Sequence, residues 1–261
     1  GISWSMTTTI TLPDSQPEPA SGLVVTFVSK WGTNGRRDGE FNEPWDMAVA
    51  PDGSVYIADA LNNRIQKFTS AGVFVSKWGT EGEGDGQFND AWTLDVASDG
   101  SVYVADEQNN RIQKFTSEGV FISKWGTEGA GDGQFDVGWD VAVAPNGMVY
   151  VADYGNYRVQ KFTSAGVFVS KWGTEGAGDG QFDSASGITV ASNGSVYVSD
   201  YNNNRIQKFT SEGVFVVSWG TKGTGDGQFG PTLGNVAVAP DGSVYVVDTA
   251  ANRIQKFSEA P

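Results

Sequence analysis

The sequence contains no cysteine and no histidine among its 261 residues. Without cysteine it can form no disulfide, no thiolate zinc site and no cysteine nucleophile. Without histidine it lacks the side chain that most often serves as acid, base or metal ligand near neutral pH. We therefore predict that the protein is not an enzyme and that it holds no catalytic residue, no metal and no other cofactor.

Long apolar runs and positive charge are also scarce. No stretch of eighteen or more apolar residues occurs, so we expect no membrane-spanning helix. The formal net charge of −14 disfavours nucleic acid and anionic membranes as partners. Since no basic segment precedes an apolar core near the start, we also expect no signal peptide. These features predict a soluble protein and assign it to no compartment.

The first 22 residues differ in composition from the rest. Gly1–Ser5 resemble residues added ahead of Met6, and three prolines follow in quick succession at positions 13, 17 and 19. We expect residues 1–22 to be a flexible arm and residues 23–258 to form the folded domain.

Aromatic residues recur at a fixed interval along that domain. Tryptophans are separated by 47 residues each time, at Trp31, Trp78, Trp125, Trp172 and Trp219. Within the first repeat, four short β-branched and aromatic runs are separated by turn residues: Met47–Ala50, Ser54–Ala58, Arg64–Thr69 and Val73–Trp78. Four antiparallel strands in each of several tandem repeats are typical of a β-propeller, in which each repeat is one blade.

The repeats carry the pattern G-D-G-Q-F, then A-V, then V-Y-V-A-D, then N-x-R-I-Q-K-F. This pattern resembles the NHL-repeat family, and the resemblance covers about residues 23–258. It implies a β-propeller, usually of six blades, whereas this chain shows five copies. We predict an all-β, single five-bladed propeller of four-stranded antiparallel blades. A six-bladed arrangement is the alternative.

The two ends of the domain carry incomplete repeats. The segment Val24–Trp31 matches an outermost strand, and the last repeat, Asn235–Phe257, stops before its own outermost strand. Joining the two would complete the fifth blade and cover both strand edges. We predict that the ring closes in this way in a monomer. The alternative is an open ring that pairs between chains.

The repeats differ from each other mainly on one face. Antiparallel order places the segments before each inner strand beside the connections between the second and third strands. We call this surface the variable face; it comprises residues 43–46, 90–93, 137–140, 184–187 and 231–235, with residues 60–61, 107–108, 154–155, 201–202 and 249–250. These segments and the loops that lead into them also carry the whole net negative charge. Variation concentrated on one face of a rigid scaffold indicates recognition.

Six aromatic residues outside the repeat positions lie in or beside these segments, together with several acids. The candidate ligand-binding residues are Trp45, Asp46, Trp92, Asp95, Glu107, Trp139, Asp140, Tyr154, Tyr157 and Tyr201. Two structural alternatives stay open. The tryptophans could instead fill the central tunnel. Asp95 stands where the other repeats have a small residue, and its carboxylate could simply accept hydrogen bonds from the backbone or from water.

Tryptophan and tyrosine dominate protein interfaces, so we predict a binding module for a neutral or basic protein or peptide. A small-molecule or carbohydrate ligand is the alternative, and a hydrolase or lyase a weaker one. Enzymes that resemble this family build a metal site from histidines, which this chain lacks. Relatives that bind single-stranded RNA use basic groups beside stacking aromatic residues, whereas the charge around the aromatic residues of this chain is negative.

Overall fold

The computed structural model describes residues 27–258, except for the side chain of Trp139. Trp31–Pro261 form one compact unit and Gly1–Lys30 another. Residues 27–30, the described part of the second unit, contain no helix or strand. The predicted arm, residues 1–22, and the start of the predicted strand Val24–Trp31 lie outside the described residues.

The strands follow one another in five groups, which we number as blades 1 to 5. Blade 1 contains β1 (Pro44–Val49), β2 (Val55–Asp59), β3 (Arg64–Phe68) and β4 (Phe74–Trp78); blade 2 contains β5 (Ala91–Val96), β6 (Val102–Asp106), β7 (Arg111–Phe115) and β8 (Phe121–Trp125); blade 3 contains β9 (Gly138–Val143), β10 (Val149–Asp153), β11 (Arg158–Phe162) and β12 (Phe168–Trp172); blade 4 contains β13 (Ala185–Val190), β14 (Val196–Asp200), β15 (Arg205–Phe209) and β16 (Phe215–Trp219); blade 5 contains β17 (Leu233–Val238), β18 (Val244–Asp248) and β19 (Arg253–Phe257). Short 3-10 turns at Ala60–Asn62, Glu107–Asn109, Tyr154–Asn156 and Thr249–Ala251 are the only helical segments in residues 27–258.

Each blade is an antiparallel sheet whose strands are ordered as in the sequence. Blades 1 to 4 have four strands, and blade 5 has three in the described part of the chain. The inner strands contact each other in succession, β1 with β5, β5 with β9, β9 with β13 and β13 with β17. The predicted all-β, five-bladed propeller is confirmed.

The inner strands begin earlier than the sequence predicts. β1 starts at Pro44 rather than Met47, and its pairing with β2 shifts by one residue between Pro44 and Asp46. The bulge adds a residue and so breaks the alternation of apolar and polar side chains from which strands are predicted. Trp45 and Asp46 consequently lie on the inner strand itself and not in the loop before it.

The core consists of apolar layers between consecutive blades. Tyr56, Ala58 and Ile65 of blade 1 pack against Leu94 and Val104 of blade 2. Equivalent clusters lie at the next three junctions. Because the second strand of a blade is covered on both sides, every residue of β2, β6, β10 and β14 is buried, and these strands lack the polar alternation of a one-sided sheet.

A buried ion pair repeats at the tip of the second hairpin in every blade. In blade 1, Nε of Arg64 donates to Oδ2 of Asp59 at 2.6 Å, and the amide of Asn42 donates to Oδ1 at 2.7 Å. The other guanidinium nitrogens donate to the carbonyls of Arg36, Arg37 and Glu40. The same Asp–Arg pair is present in all five blades. They fasten the loop that leads into each inner strand.

The junction between blade 5 and blade 1 differs from the other four. Ile254 of β19 is 59% exposed, whereas Ile65 at the same position in blade 1 is fully buried. Met47 of β1 is 61% exposed, whereas Leu94 is 3% exposed. No contact comparable to those between the other inner strands joins β17 to β1 in residues 27–258. The predicted closure by Val24–Trp31 therefore stays a prediction.

Deletion of residues 1–30 tests that prediction. If Val24–Trp31 supplies the outer strand of blade 5, the deletion exposes two blade edges, and the protein should melt at a much lower temperature or associate. Thermal unfolding and size-exclusion chromatography of both forms would show this. A truncated protein that is monomeric and melts at the parent's temperature would contradict the assignment.

Candidate functional site

The structure brings the two sets of variable segments together. In each of blades 2, 3 and 4, the connection after the second strand donates a backbone hydrogen bond to the segment before the inner strand. These bonds join Glu107 to Asp90, Tyr154 to Val137 and Tyr201 to Ser184, at 3.0 to 3.2 Å. Within each of these blades, the two variable segments thus form one surface.

Unusual backbone angles occur where the chain turns into the inner strand. Glu43, Asp90, Val137 and Ser184 all have positive φ, a conformation that is strained for a β-branched residue such as Val137. The amide of Val137 donates to the side-chain oxygen of Asn110 in the preceding blade at 2.9 Å. Neighbouring blades therefore hold these turns in place.

Two of the three candidate tryptophans form a stacked pair. The rings of Trp45 and Trp92 lie 4.1 Å apart at an angle of 29°. Trp45 is 51% exposed, and Trp92 is half-buried. The side chain of Trp139 lies outside the described part of the structure. Trp45 lies on β1, where Met47 and Val49 are also exposed because no blade covers that side of β1 in residues 27–258.

The tryptophan pair forms one wall of a pocket of about 460 Å³ at the tunnel mouth. The opposite wall comes from blades 4 and 5. The lining residues are Trp45, Trp92, Ser186, Tyr201, Thr232, Leu233, Gly234, Asn235, Val247 and Thr249. Such a mixture of aromatic surface with a few hydroxyl and amide groups is typical of a ligand site.

The three candidate tyrosines do not share one environment. Tyr154 and Tyr201 are half-buried on the variable face, with rings 6.4 Å apart and edge to face. Tyr157 packs against the core between blades 3 and 4. It takes the left-handed position that Asn63 and Asn110 occupy in earlier blades. Tyr157 therefore contributes to packing, whereas Tyr201 lines the aromatic pocket and Tyr154 contacts its ring.

Three candidate acids line the tunnel, a cavity of about 860 Å³ bounded by the inner strands of all five blades. Each accepts a backbone hydrogen bond from the inner strand of the next blade. The amide of Leu94 donates to Asp46 at 2.9 Å, that of Val143 to Asp95 at 2.7 Å, and that of Ile188 to Asp140 at 2.8 Å. These carboxyls therefore join consecutive blades as well as lining the tunnel.

Burial makes these carboxyls weaker acids than an ordinary aspartate. It raises the pKa of Asp46 and of Asp95 to about 6, against the opposing effect of their backbone hydrogen bonds. Burial, together with the charge of Asp46, raises the pKa of Asp140 well above its usual range. Among residues 27–258, no lysine or arginine lines this cavity or the aromatic pocket. The tunnel therefore favours protons or cationic groups.

Glu107 is the candidate acid of the outer surface. Its side chain is largely buried beside Asp90, and burial followed by the charge of Asp90 raises its pKa to about 6. Across the described residues, no three acidic side chains lie close enough together to hold a metal ion. The acids are placed for hydrogen bonding and for attracting cations.

Part of the negative charge of the loops and hairpin ends beside the variable face is neutralised locally. The hairpin aspartates pair with arginines, and the exposed acids Asp38, Asp85 and Asp132 pair with lysines of the outer strands. The sequence alone did not separate these structural acids from those of the tunnel. Ser186 and Asn235, which line the aromatic pocket, lie in the predicted variable face but were not among the candidate residues, and Val247 lies outside that face. The extra residue in the fifth repeat was the available signal for that part of the site.

Comparisons with known proteins agree with the fold. The NHL repeat family matches residues 41–68, 88–115, 139–162 and 182–209. A streptogramin B lyase structure shares 16% identity, with a TM-score of 0.61 over 82% of this chain and 68% of that one. A catalytically inactive virginiamycin B lyase from Staphylococcus aureus with quinupristin shares 19%, with a TM-score of 0.58 over 84% and 70%.

A third similar structure is the WD40 β-propeller domain of Doa1, with 14% identity and a TM-score of 0.60 over 80% of this chain and 62% of that one. At these identities the likeness shows the fold alone. No curated protein matches the sequence. Within residues 27–258, no helix is both long and apolar enough to cross a membrane.

The acid at position 95 should make stability depend on pH. The pKa of Asp95 rises from 3.8 to about 6 on folding, so the folded state binds the proton more tightly. The contribution of Asp95 to the free energy of unfolding is favourable at low pH. It is lost as pH rises from about 4 to about 6, and the loss is about 3 kcal/mol for a pKa shift of this size. Relative to the parent, Asp95→Ala should therefore be more stable at pH 7.5 than at pH 4.5.

Urea unfolding of both proteins at the two pH values measures this difference. Glu118→Ala, at an exposed turn, is the control and should show no comparable change between the two pH values. A difference between parent and Asp95→Ala that does not grow with pH would show that Asp95 is ionised freely in the tunnel.

The apolar layers between blades should hold the fold without a metal. A chelator should therefore leave the melting temperature of the purified protein unchanged. A drop on adding EDTA that calcium reverses would contradict this expectation and indicate carboxylate-bound calcium.

Proposed function

The chain belongs to the NHL-repeat family of β-propellers, and we propose that it is a non-catalytic binding module that recognises a protein or peptide through its variable face. The observation that carries the proposal is the stacked pair of Trp45 and Trp92. Half of the Trp45 surface is open to solvent although the ring is already ordered by its partner. Ordered, exposed tryptophans lose little entropy on binding and form the strongest anchors in interfaces.

The charge around the pocket favours a neutral or basic ligand. A lysine or arginine side chain that enters between the tryptophan pair and Tyr201 would meet aromatic ring faces, which attract cations. The carboxyls of Asp46, Asp95 and Asp140 line the adjoining tunnel and have no ion-pair partner among the described residues. An acidic ligand would find no basic group in either cavity.

A carbohydrate or other small molecule is the second candidate. The pocket volume of about 460 Å³ lies in the range of small-molecule sites, and stacked indoles beside Ser186, Asn235 and Thr249 suit a sugar ring with its hydroxyls. A hydrolase or lyase is a third and weaker candidate. The two lyases of similar fold share less than 20% identity with this chain, and the chain has no histidine.

Arrays of defined peptides and glycans distinguish these candidates. Labelled protein would be applied to peptides carrying lysine or arginine, to matched neutral and acidic peptides, and to glycans. We expect retention on basic or neutral peptides. Retention only on glycans would favour the second candidate, and turnover in an esterase, glycosidase or lyase screen would favour the third.

Truncation of the aromatic anchors should weaken that binding without unfolding the protein. Trp45→Ala and Tyr201→Ala should each cost on the order of 2 kcal/mol of binding free energy, because each removes ring surface from the pocket. Dissociation constants for the retained peptide or glycan, with melting temperatures as a check of folding, measure this. Glu118→Ala lies on the opposite face and should bind like the parent. Unchanged binding by both aromatic variants would place the site elsewhere.

A further inference from the structure

One position of the inner strand carries a large residue in three blades and a small residue in two. The last residue of the inner strand pairs with the first residue of the second strand in every blade, and the position lies four residues before it. Its residues in blades 1 to 5 are Trp45, Trp92, Trp139, Ser186 and Gly234. Blades 4 and 5 therefore lack the indole that the other three blades carry.

The aromatic pocket lies where those indoles are missing. Trp45, Trp92, Ser186 and Gly234 all line it, so the pocket is built largely from this one position of different blades. Trp92 covers one face of the Trp45 ring at 4.1 Å, and half of the Trp45 surface is open to solvent. The pocket therefore offers an uncovered indole face, with space in front of the small residues of the opposite wall.

Oxygen atoms border that space. The Ser186 hydroxyl donates to the carbonyl of Ser199 at 3.3 Å, which leaves its own oxygen able to accept a hydrogen bond. Asn235 and Thr249 each bring a further side-chain oxygen to the lining of the pocket. Within residues 27–258, no acidic or basic side chain lines the pocket itself. Its polar contacts are therefore hydroxyl and amide groups.

The tunnel supplies negative charge from close by. Asn235 and Val247 line both cavities, so the pocket and the tunnel are neighbours. Asp46 and Asp95 line the tunnel, and no lysine or arginine in the described part of the chain lines either cavity. A cationic group in the pocket would be attracted by these carboxyls, although the groups that surround it there are neutral.

We propose that the pocket takes an arginine side chain of the bound protein or peptide, with its guanidinium group stacked on the open face of Trp45. This inference rests on the proposed function, because it names the residue that the binding module recognises. A guanidinium group is planar and weakly hydrated, and it stacks on aromatic rings. Its N–H groups lie in its own plane, at the edge of the stack, where Ser186, Asn235 and Thr249 supply acceptors.

Lysine and sugar ligands fit the same features less well. The ammonium group of lysine is compact and strongly hydrated and has no planar surface to stack. The pocket has no carboxylate to replace the water that such a group loses. A sugar ring would stack on Trp45, but as a neutral group it would gain nothing from the tunnel carboxyls. The planar indole face and the neighbouring negative charge together select arginine.

Four matched peptides separate the effect of charge from that of planarity. They are acetylated and amidated Gly-Gly-Xaa-Gly-Gly peptides in which Xaa is arginine, lysine, citrulline or norleucine. Citrulline keeps the planar end group without the charge, and lysine keeps the charge without the planar group. Titration of the full-length protein at neutral pH, followed through the NMR signals of the indole N–H groups, measures weak as well as tight binding.

We expect the arginine peptide to bind about tenfold more tightly than the lysine and citrulline peptides, and the norleucine peptide to bind most weakly. Equal binding of arginine and citrulline would overturn the role of charge, and equal binding of arginine and lysine would overturn the stacking. Either result would leave the proposed binding module standing. Failure of the arginine peptide to bind would also overturn this inference, and the peptide and glycan arrays would decide the proposed function by themselves.

Substitutions in the pocket locate the bound arginine. Trp45→Leu removes the planar ring and should raise the dissociation constant of the arginine peptide about tenfold, whereas Trp45→Phe should keep part of the preference over lysine. Asn235→Asp adds a carboxylate of the same shape to the pocket wall. It should tighten binding of the arginine peptide about tenfold and leave that of the citrulline peptide unchanged.

Glu118→Ala is the control for these variants and should bind all four peptides like the parent. Melting temperatures show whether each variant is folded. If Trp45→Leu does not fold, Asn235→Asp decides the matter by its separate effects on the arginine and citrulline peptides. A preference for arginine that is the same in the parent, in Trp45→Leu and in Asn235→Asp would place the arginine outside this pocket and overturn the assignment.

Discussion

Every blade of this propeller has two apolar faces, and each face must be covered by another blade. The sheets are nearly identical in sequence, so a single interface, made by the apolar residues of strands such as β2 and β3 with those of β5 and β6, serves at each junction. Repetition of one interface fixes the direction in which blades follow one another. It also leaves two complementary faces at the ends of any series, and closure of the ring is the arrangement that buries both.

The buried ion pairs allow the residues of the variable face to differ between blades while the core stays uniform. Asp59 and its counterparts are fully buried, which would be costly for isolated charges. In blades 1 to 4 each is satisfied by an arginine, a glutamine, an asparagine and a backbone amide, as Asp59 is, and in blade 5 an alanine replaces the asparagine. The same arginine holds the carbonyls of the preceding loop, so the residues beyond that loop are free to differ between blades. Trp45, Trp92 and Ser186 can therefore occupy related positions with no change in the fold.

Repetition made most of the fold predictable from the sequence, because comparison of the five copies shows which residues all repeats share and which residues differ between them. The bulge at Pro44–Asp46 was not predictable, since one added residue changes no periodic signal outside the inner strand. The candidate site was predicted as a face and a set of aromatic residues. The stacking of Trp45 on Trp92, and the different environment of Tyr157, depend on the distance between neighbouring blades and on backbone angles that sequence patterns do not encode.

The inner strands explain why acids and ligand-binding groups coincide at the tunnel. Near the axis, the inner strands of neighbouring blades contact each other, and the free edge of each inner strand faces the cavity. Amides on that free edge need acceptors, which Asp46 and Asp140 supply to the following blade. A carboxyl placed for that purpose is also buried, and burial raises its pKa. The bonds that join the blades thus give the tunnel its preference for cationic groups, so structural and binding roles share the same side chains.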